Sequence, residues 1–174
     1  MNEVIRNIKN RRSVRSFADR KIPDELLREI ADCARYAPSG RNTQLWKFAV
    51  VANSGMIKRL AGVTGKLLGR GDYDFYRPDA LIIVACDRDN RLGVQDGSCA
   101  LQNIFLAAAS LGIGSVWINQ LHDVCDEPEC RAILTELGIP ENYSVVGAAA
   151  LGYPAEEGAF RVAEKKSDVT EYCL

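Results

Sequence analysis

Histidine is almost missing from this chain: His122 is the only one in 174 residues. It precedes Cys125 and Cys130, but that spacing matches no standard zinc pattern and no fourth ligand is evident, so no metal is expected. No Ser/His/Asp catalytic set is visible either. An excess of charge is missing too. The 22 basic and 23 acidic residues leave a net charge of −1, which removes any global case for nucleic acid or an acidic membrane surface. Any anion site must therefore be a local cluster. Long apolar runs are absent: those at 80–86 and 145–151 are far too short to span a membrane. The opening Met1-Asn2-Glu3-Val4-Ile5-Arg6 lacks the apolar stretch of a signal peptide. Six cysteines are too sparse for a disulfide scaffold, so the reading is a soluble, cytoplasmic protein with free thiols. No repeat, low-complexity stretch or long linker divides residues 1–174, which are read as one domain.

What is there is ordinary globular material, 47% apolar and 26% charged. Residues 2–10 pattern as a short helix, and 11–17 as an extended segment. Pro23-Asp24-Glu25 opens a helix, because Pro and acids suit a first turn. Pro38-Ser39-Gly40 ends that periodic stretch. Strands are expected at 46–52, 80–86, 115–118 and 144–151, the second continuously apolar and hence central. Helices are expected near 54–61, over 92–111 and over 127–137, while 62–77 is the least legible stretch. Helices separate nearly every strand, so the class is mixed α and β.

Two local clusters have chemical content. Arg11-Arg12-Ser13-Val14-Arg15 puts three guanidiniums and a hydroxyl within five residues, a planar donor set that matches phosphate oxygens. Alternation along an extended segment would send Arg11, Ser13 and Arg15 to one side and Arg12 to the other. A solvated basic turn would have the same composition. Pro38-Ser39-Gly40-Arg41-Asn42-Thr43-Gln44 offers donors and acceptors suited to a heterocycle edge, although turn residues alone would read alike. The glycines around 112–114 and 62–65 satisfy neither the dinucleotide fingerprint nor the phosphate-binding loop.

Taken in order, these pieces resemble the FMN-dependent nitroreductase family. Arg11 to Phe17 resembles its N-terminal flavin-phosphate segment, and Ala37 to Phe48 its second signature. Leu111-Gly112-Ile113-Gly114-Ser115-Val116-Trp117-Ile118 is similar to the third, and Ala150 to Glu156 to the last strand and its exit. Leu45 departs from the family's common proline. The resemblance implies an α+β fold with a central, mostly antiparallel sheet flanked by helices. It also implies an intertwined homodimer with one FMN in each of two interface sites. On that pattern Arg11, Arg12 and Ser13 hold the phosphate and ribityl end, and Arg15 faces the pyrimidine edge. Pro38, Ser39, Gly40, Asn42 and Gln44 form the second contact, with Ser39, Gly40 and Asn42 coming from the partner. Ser115, Val116, Trp117 and Ile118 run along the ring through backbone groups. A basic residue near the C-terminus completes the phosphate site: Arg161, Lys165 or Lys166, the two lysines being preferred.

The implied activity is hydride transfer from NADH or NADPH onto FMN, then reduction of a nitro compound, quinone or similar acceptor. The flavin carries the hard chemistry, so the protein needs no catalytic side chain of its own. A flavin-dependent dehydrogenase of a small metabolite, or a flavin-binding redox sensor or storage dimer, would share this fold.

Overall fold

A computed structural model of the chain describes residues 1–157 and 159–164, together with 171 and 173. Among the described residues four strands form one sheet: β1 (Trp46–Val51), β2 (Ala80–Asp87), β3 (Gly114–Ile118) and β4 (Tyr143–Gly152). Their spatial order is β1-β2-β4-β3 and every neighbouring pair is antiparallel. The helices are α1 (Glu3–Asn10), α2 (Asp24–Ala34), α3 (Ser54–Leu67), α4 (Gly93–Ser110), α5 (Gln120–Val124) and α6 (Pro128–Glu136). The architecture is α+β, as expected.

The apolar run of β2 makes sense because helices cover both faces of the sheet. Leu81, Ile83 and Ala85 point into a core shared with Ile57 and Leu60 of α3, Leu121 of α5 and Ile133 and Leu134 of α6. Ala80, Ile82, Val84 and Cys86 point the other way, against Leu27 and Ile30 of α2 and Leu101 and Ile104 of α4. Each large aliphatic side chain buried in this way contributes roughly 1.5–3 kcal/mol. Burial also pushes the Cys86 thiol up to about 11, so it serves as a small core residue.

The β2–β4 register shifts between Val84 and Ala85, which pair with Gly147 and Val145. Val146 is the extra residue, the signature of a β-bulge. Val146 packs in the α2/α4 core, and a Cβ at Gly147 would meet Leu101 of that same side. The bulge thus turns two consecutive residues to one face, and the second must be small.

Two elements differ from the sequence reading. Helix α3 does not stop near residue 61 but continues to Leu67. Its glycines are not breakers: Gly65 lets the chain pack back, since a Cβ there would lie 2.6 Å from the Arg70 carbonyl oxygen. The short helix α5 went unseen, because five residues carry too little periodicity to register. Side-chain N-caps start two of the helices, α1 and α3. The Asn2 and Asn53 side chains accept from Ile5 and Met56 N–H, each at 2.9 Å, and Gly138 follows α6 at φ 83°.

Candidate cofactor site

The site is built where the arginine-rich segment leaves α1 and runs along the open edge of β3. Arg11 closes the helix, its N–H donating to Asn7 O at 3.0 Å. The segment is then stitched to the sheet from about 100 residues away. Val14 N–H donates to Ser115 O at 2.9 Å and Ala18 N–H to Tyr153 O at 2.8 Å. Val14 is buried, and a Cβ on Gly114 would lie 2.8 Å from the Val14 Cβ. Glycine at 114 is what allows this close approach.

These contacts form one wall of a cleft of about 370 Å³ lined by Arg12, Ser13, Arg15, Arg161, Glu156 and Glu157, among others. Arg12 is the most constrained of the cations. Its Nη1 donates to Arg11 O at 2.8 Å, while its Nη2 is buried and has no hydrogen-bond partner among the described residues. A buried guanidinium donor left unpaired is costly, on the order of 1–3 kcal/mol. Arg12, Ser13, Arg15 and Arg161 together line the cleft, a donor set that suits a phosphate.

The placement within the arginine cluster differs from simple alternation. Arg12, not Arg11, shares the cleft with Ser13 and Arg15. Arg11 lines an adjoining cleft between α1 and the end of α4, beside Asn7, Asn10 and Ser110. The reason is that Arg11 still belongs to the helix end. The extended run after it is held by isolated bridges, Ser13 to Ser115 and Phe17 to Pro154, and is not a regular strand. Burial, then the neighbouring Arg12 charge, lowers the Arg11 pKa. Of the three C-terminal candidates, Arg161 lines the cleft, while Lys165 and Lys166 lie outside the described residues.

Residues 38–44 form a separate structure, a 3₁₀ turn over Gly40–Asn42. The Ser39 hydroxyl accepts from Gln44 N–H at 3.1 Å and the Asn42 carbonyl from the Gln44 amide at 2.9 Å. Arg41, Asn42 and Gln44 all have positive φ. The turn is clamped to α4 by Asp96, a residue the sequence reading did not single out. Asp96 is 5% exposed; its Oδ1 accepts from Gly40 N–H and its Oδ2 from the Asn90 amide, both at 3.0 Å. Leu92 fills the space where a Gly40 side chain would stand. Pro38 is exposed beside this turn. No residue of 38–44 is among those lining the 370 Å³ cleft of the same chain.

On β3, Val116 and Ile118 are buried in the core, so only their backbone is available to a ligand. Ser115 O accepts from Val14, which fixes the Ser115 backbone on the open side of the strand. Two residues on, the Trp117 backbone faces that same open side. The Trp117 ring lies over the sheet, 6.0 Å from the Phe105 ring centroid, and covers Gly147.

The histidine and its neighbouring thiols are placed structurally. His122 Nδ1 lies 2.6 Å from Val145 O, and Cys125 and Cys130 are buried; among the described residues no cluster of metal ligands is found. A larger groove of about 560 Å³ lies between residues 17–21, α3 and the 73–79 loop. Its charges are mostly paired already, Lys21 with Asp79 at 2.7 Å and Arg77 with Asp74 at 3.3 Å. No helix among the described residues is long and apolar enough to cross a membrane.

Comparison with known proteins gives the site its context. The model of the nitroreductase family matches residues 8–76 and 68–153. A protein of Archaeoglobus fulgidus, provisionally named NADH dehydrogenase/NAD(P)H nitroreductase, is 37% identical over 95% of this chain and 94% of its own. The crystal structure of a Bacteroides fragilis nitroreductase with bound FMN superimposes with a TM-score of 0.86 and 40% identity, covering 100% of this chain and 99% of that one. A nitroreductase with bound FMN from Desulfitobacterium hafniense gives a TM-score of 0.83 at 28% identity, over 98% of this chain and 100% of that one.

Proposed function

The chain belongs to the nitroreductase family, and on that premise we propose that it is an FMN-dependent oxidoreductase. It takes a hydride from NADH or NADPH and delivers the electrons to nitro compounds, quinones or similar acceptors. The observation that carries the reading is the gathering of Arg12, Ser13, Arg15 and Arg161 around one cleft. That donor set answers a terminal phosphate. When bound, FMN supplies the two-electron chemistry that no side chain here provides.

The roles of the chain's own residues follow from their places. Arg12, Ser13 and Arg161 bind the phosphate, and Lys165 or Lys166 would add to it. Arg11 acts mainly through its carbonyl, which orients the Arg12 guanidinium. Arg15 sets a fixed positive charge at the ring's pyrimidine edge, where negative charge appears on reduction. The Trp117 backbone borders the ring, while Ser115 holds the arginine segment beside it through Val14 N–H. Ser39, Gly40 and Asn42, with Pro38 and Gln44 shaping their turn, complete the site from a second copy, making a homodimer with two shared sites. The absence of 38–44 from the chain's own cleft supports that division. So does α1, which buries none of its residues and exposes Val4, Ile5 and Ile8. Six free thiols are in keeping with a cytoplasmic setting.

The reading is tested on purified protein reconstituted with FMN. Flavin released by denaturation should chromatograph as FMN, and NAD(P)H oxidation should accelerate when a nitro or quinone acceptor is added. Release of FAD, or no flavin affinity, would remove the proposal. Tight FMN binding with negligible turnover on every acceptor would leave a flavin-binding sensor instead.

A further inference from the structure

Non-glycine residues with positive φ are confined to two segments of the described chain. One is the 41–44 turn discussed above; the other is Phe75, Tyr76 and Arg77, at φ 53°, 68° and 51°. Three consecutive left-handed residues, two of them aromatic, are sterically unfavourable and persist only when the surroundings impose them. Here the surroundings do so on both sides. Phe75 is fully buried and meets the Tyr73 ring edge-on at 5.2 Å. The Asp74 carboxylate accepts from Tyr76 N–H at 2.9 Å and the Asp74 carbonyl from Arg77 N–H at 2.9 Å. The result is a rigid stub that holds the Tyr76 ring outward, still 39% exposed, with the Arg15 guanidinium 6.0 Å from its centroid.

Arg15 has competing partners nearby. Glu156 and Glu157 line the same cleft, yet among the described residues Arg15 forms no ion pair. An exposed arginine that shares a cleft with two carboxylates can swing to pair with them, and each pairing would cancel the charge it brings to the cleft. A face-on aromatic ring attracts the guanidinium without neutralising it.

We propose that Tyr76 is a positioning residue for Arg15: its ring, fixed by the left-handed 75–77 segment, holds the guanidinium at the cleft as an uncompensated cation. The inference rests on the reading of that cleft as the flavin site, and it adds a residue that sets the redox potential without needing to touch the flavin. Because the guanidinium lies over the ring, Tyr76→Phe should preserve the effect.

The test uses the FMN-loaded protein and reads the flavin midpoint potential alongside oxidised-FMN affinity. Arg15→Ala should move the potential to more negative values. Tyr76→Gly, which removes the ring at a backbone conformation glycine accepts freely, should move it in the same direction. The ratio of reduced-FMN to oxidised-FMN affinity should fall roughly 2- to 10-fold. Tyr76→Phe should stay at the wild-type value, and Tyr76→Gly should add nothing in an Arg15→Ala background. Tyr76→Asn, the side chain best suited to positive φ, repeats the measurement should the glycine variant fold poorly. A shift with Arg15→Ala but none with Tyr76→Gly or Tyr76→Asn would overturn the role of Tyr76 alone. A Tyr76 effect that persists undiminished without Arg15 would do the same. No shift with Arg15→Ala would overturn the placement of Arg15 and this inference together.

Discussion

The Arg12 guanidinium combines two properties that alanine would remove at once, an unpaired buried donor and a charge at the wall of the cleft. Arg12→Ala is therefore expected to have opposite consequences in the two states of the protein. FMN affinity should fall roughly 10- to 150-fold, for the loss of a charge-assisted hydrogen bond of about 1.5–3 kcal/mol. The FMN-free protein should lose no thermal stability, because the unsatisfied donor leaves with the side chain. Fluorescence titration with FMN and thermal melts of the apoprotein check the pair. Loss of apoprotein stability with unchanged affinity would make Arg12 a structural residue. The arginine cluster was legible in the sequence as residue types but not as geometry. Nothing in the order Arg11-Arg12-Ser13 says that the first arginine is spent on ending a helix. Asp96 was illegible for a related reason: an acid in a first helical turn reads as dipole compensation. Its role as acceptor for Gly40 appears only once residues 40 and 96 are brought together.

Helices and strands with a full period were legible from pattern alone, and all four strands fall where apolar runs or alternation put them. Helix α5 was too short to show a period, whereas around α3 tertiary contact changes what a glycine does. Gly65 in α3 reads as a breaker, yet it is the point where the 70–73 loop packs onto the helix. Gly147 in β4 sits in a bulge beneath the Trp117 indole and beside Leu101. Gly147→Ala should therefore overpack this spot and destabilise the protein by about 1–3 kcal/mol. A lowered urea midpoint with an unchanged slope is the expected result, accompanied by a change in Trp117 fluorescence. Gly62→Ala in α3, where nothing lies within 4 Å of the added carbon, is the matched control and should be neutral or mildly stabilising.

Helix α1 buries none of its residues and leaves Val4, Ile5 and Ile8 bare, the apolar face that a second copy would cover on the proposed shared-site reading. Light scattering of the FMN-bound protein should give a dimer, and dilution should release monomer and flavin together. A monomer that still holds FMN tightly would contradict a shared site. The hydrogen bond from Val14 to Ser115 has a further consequence, this time for the order of folding. It closes a loop of about 100 residues, so its entropy cost falls due only after the local helices and hairpin-like pairings have formed. The wall of the cofactor cleft is thus among the last parts of the chain to be set. A thermally loosened molecule is expected to release its arginine segment before its sheet, and on the proposed FMN reading a bound cofactor would latch that final step.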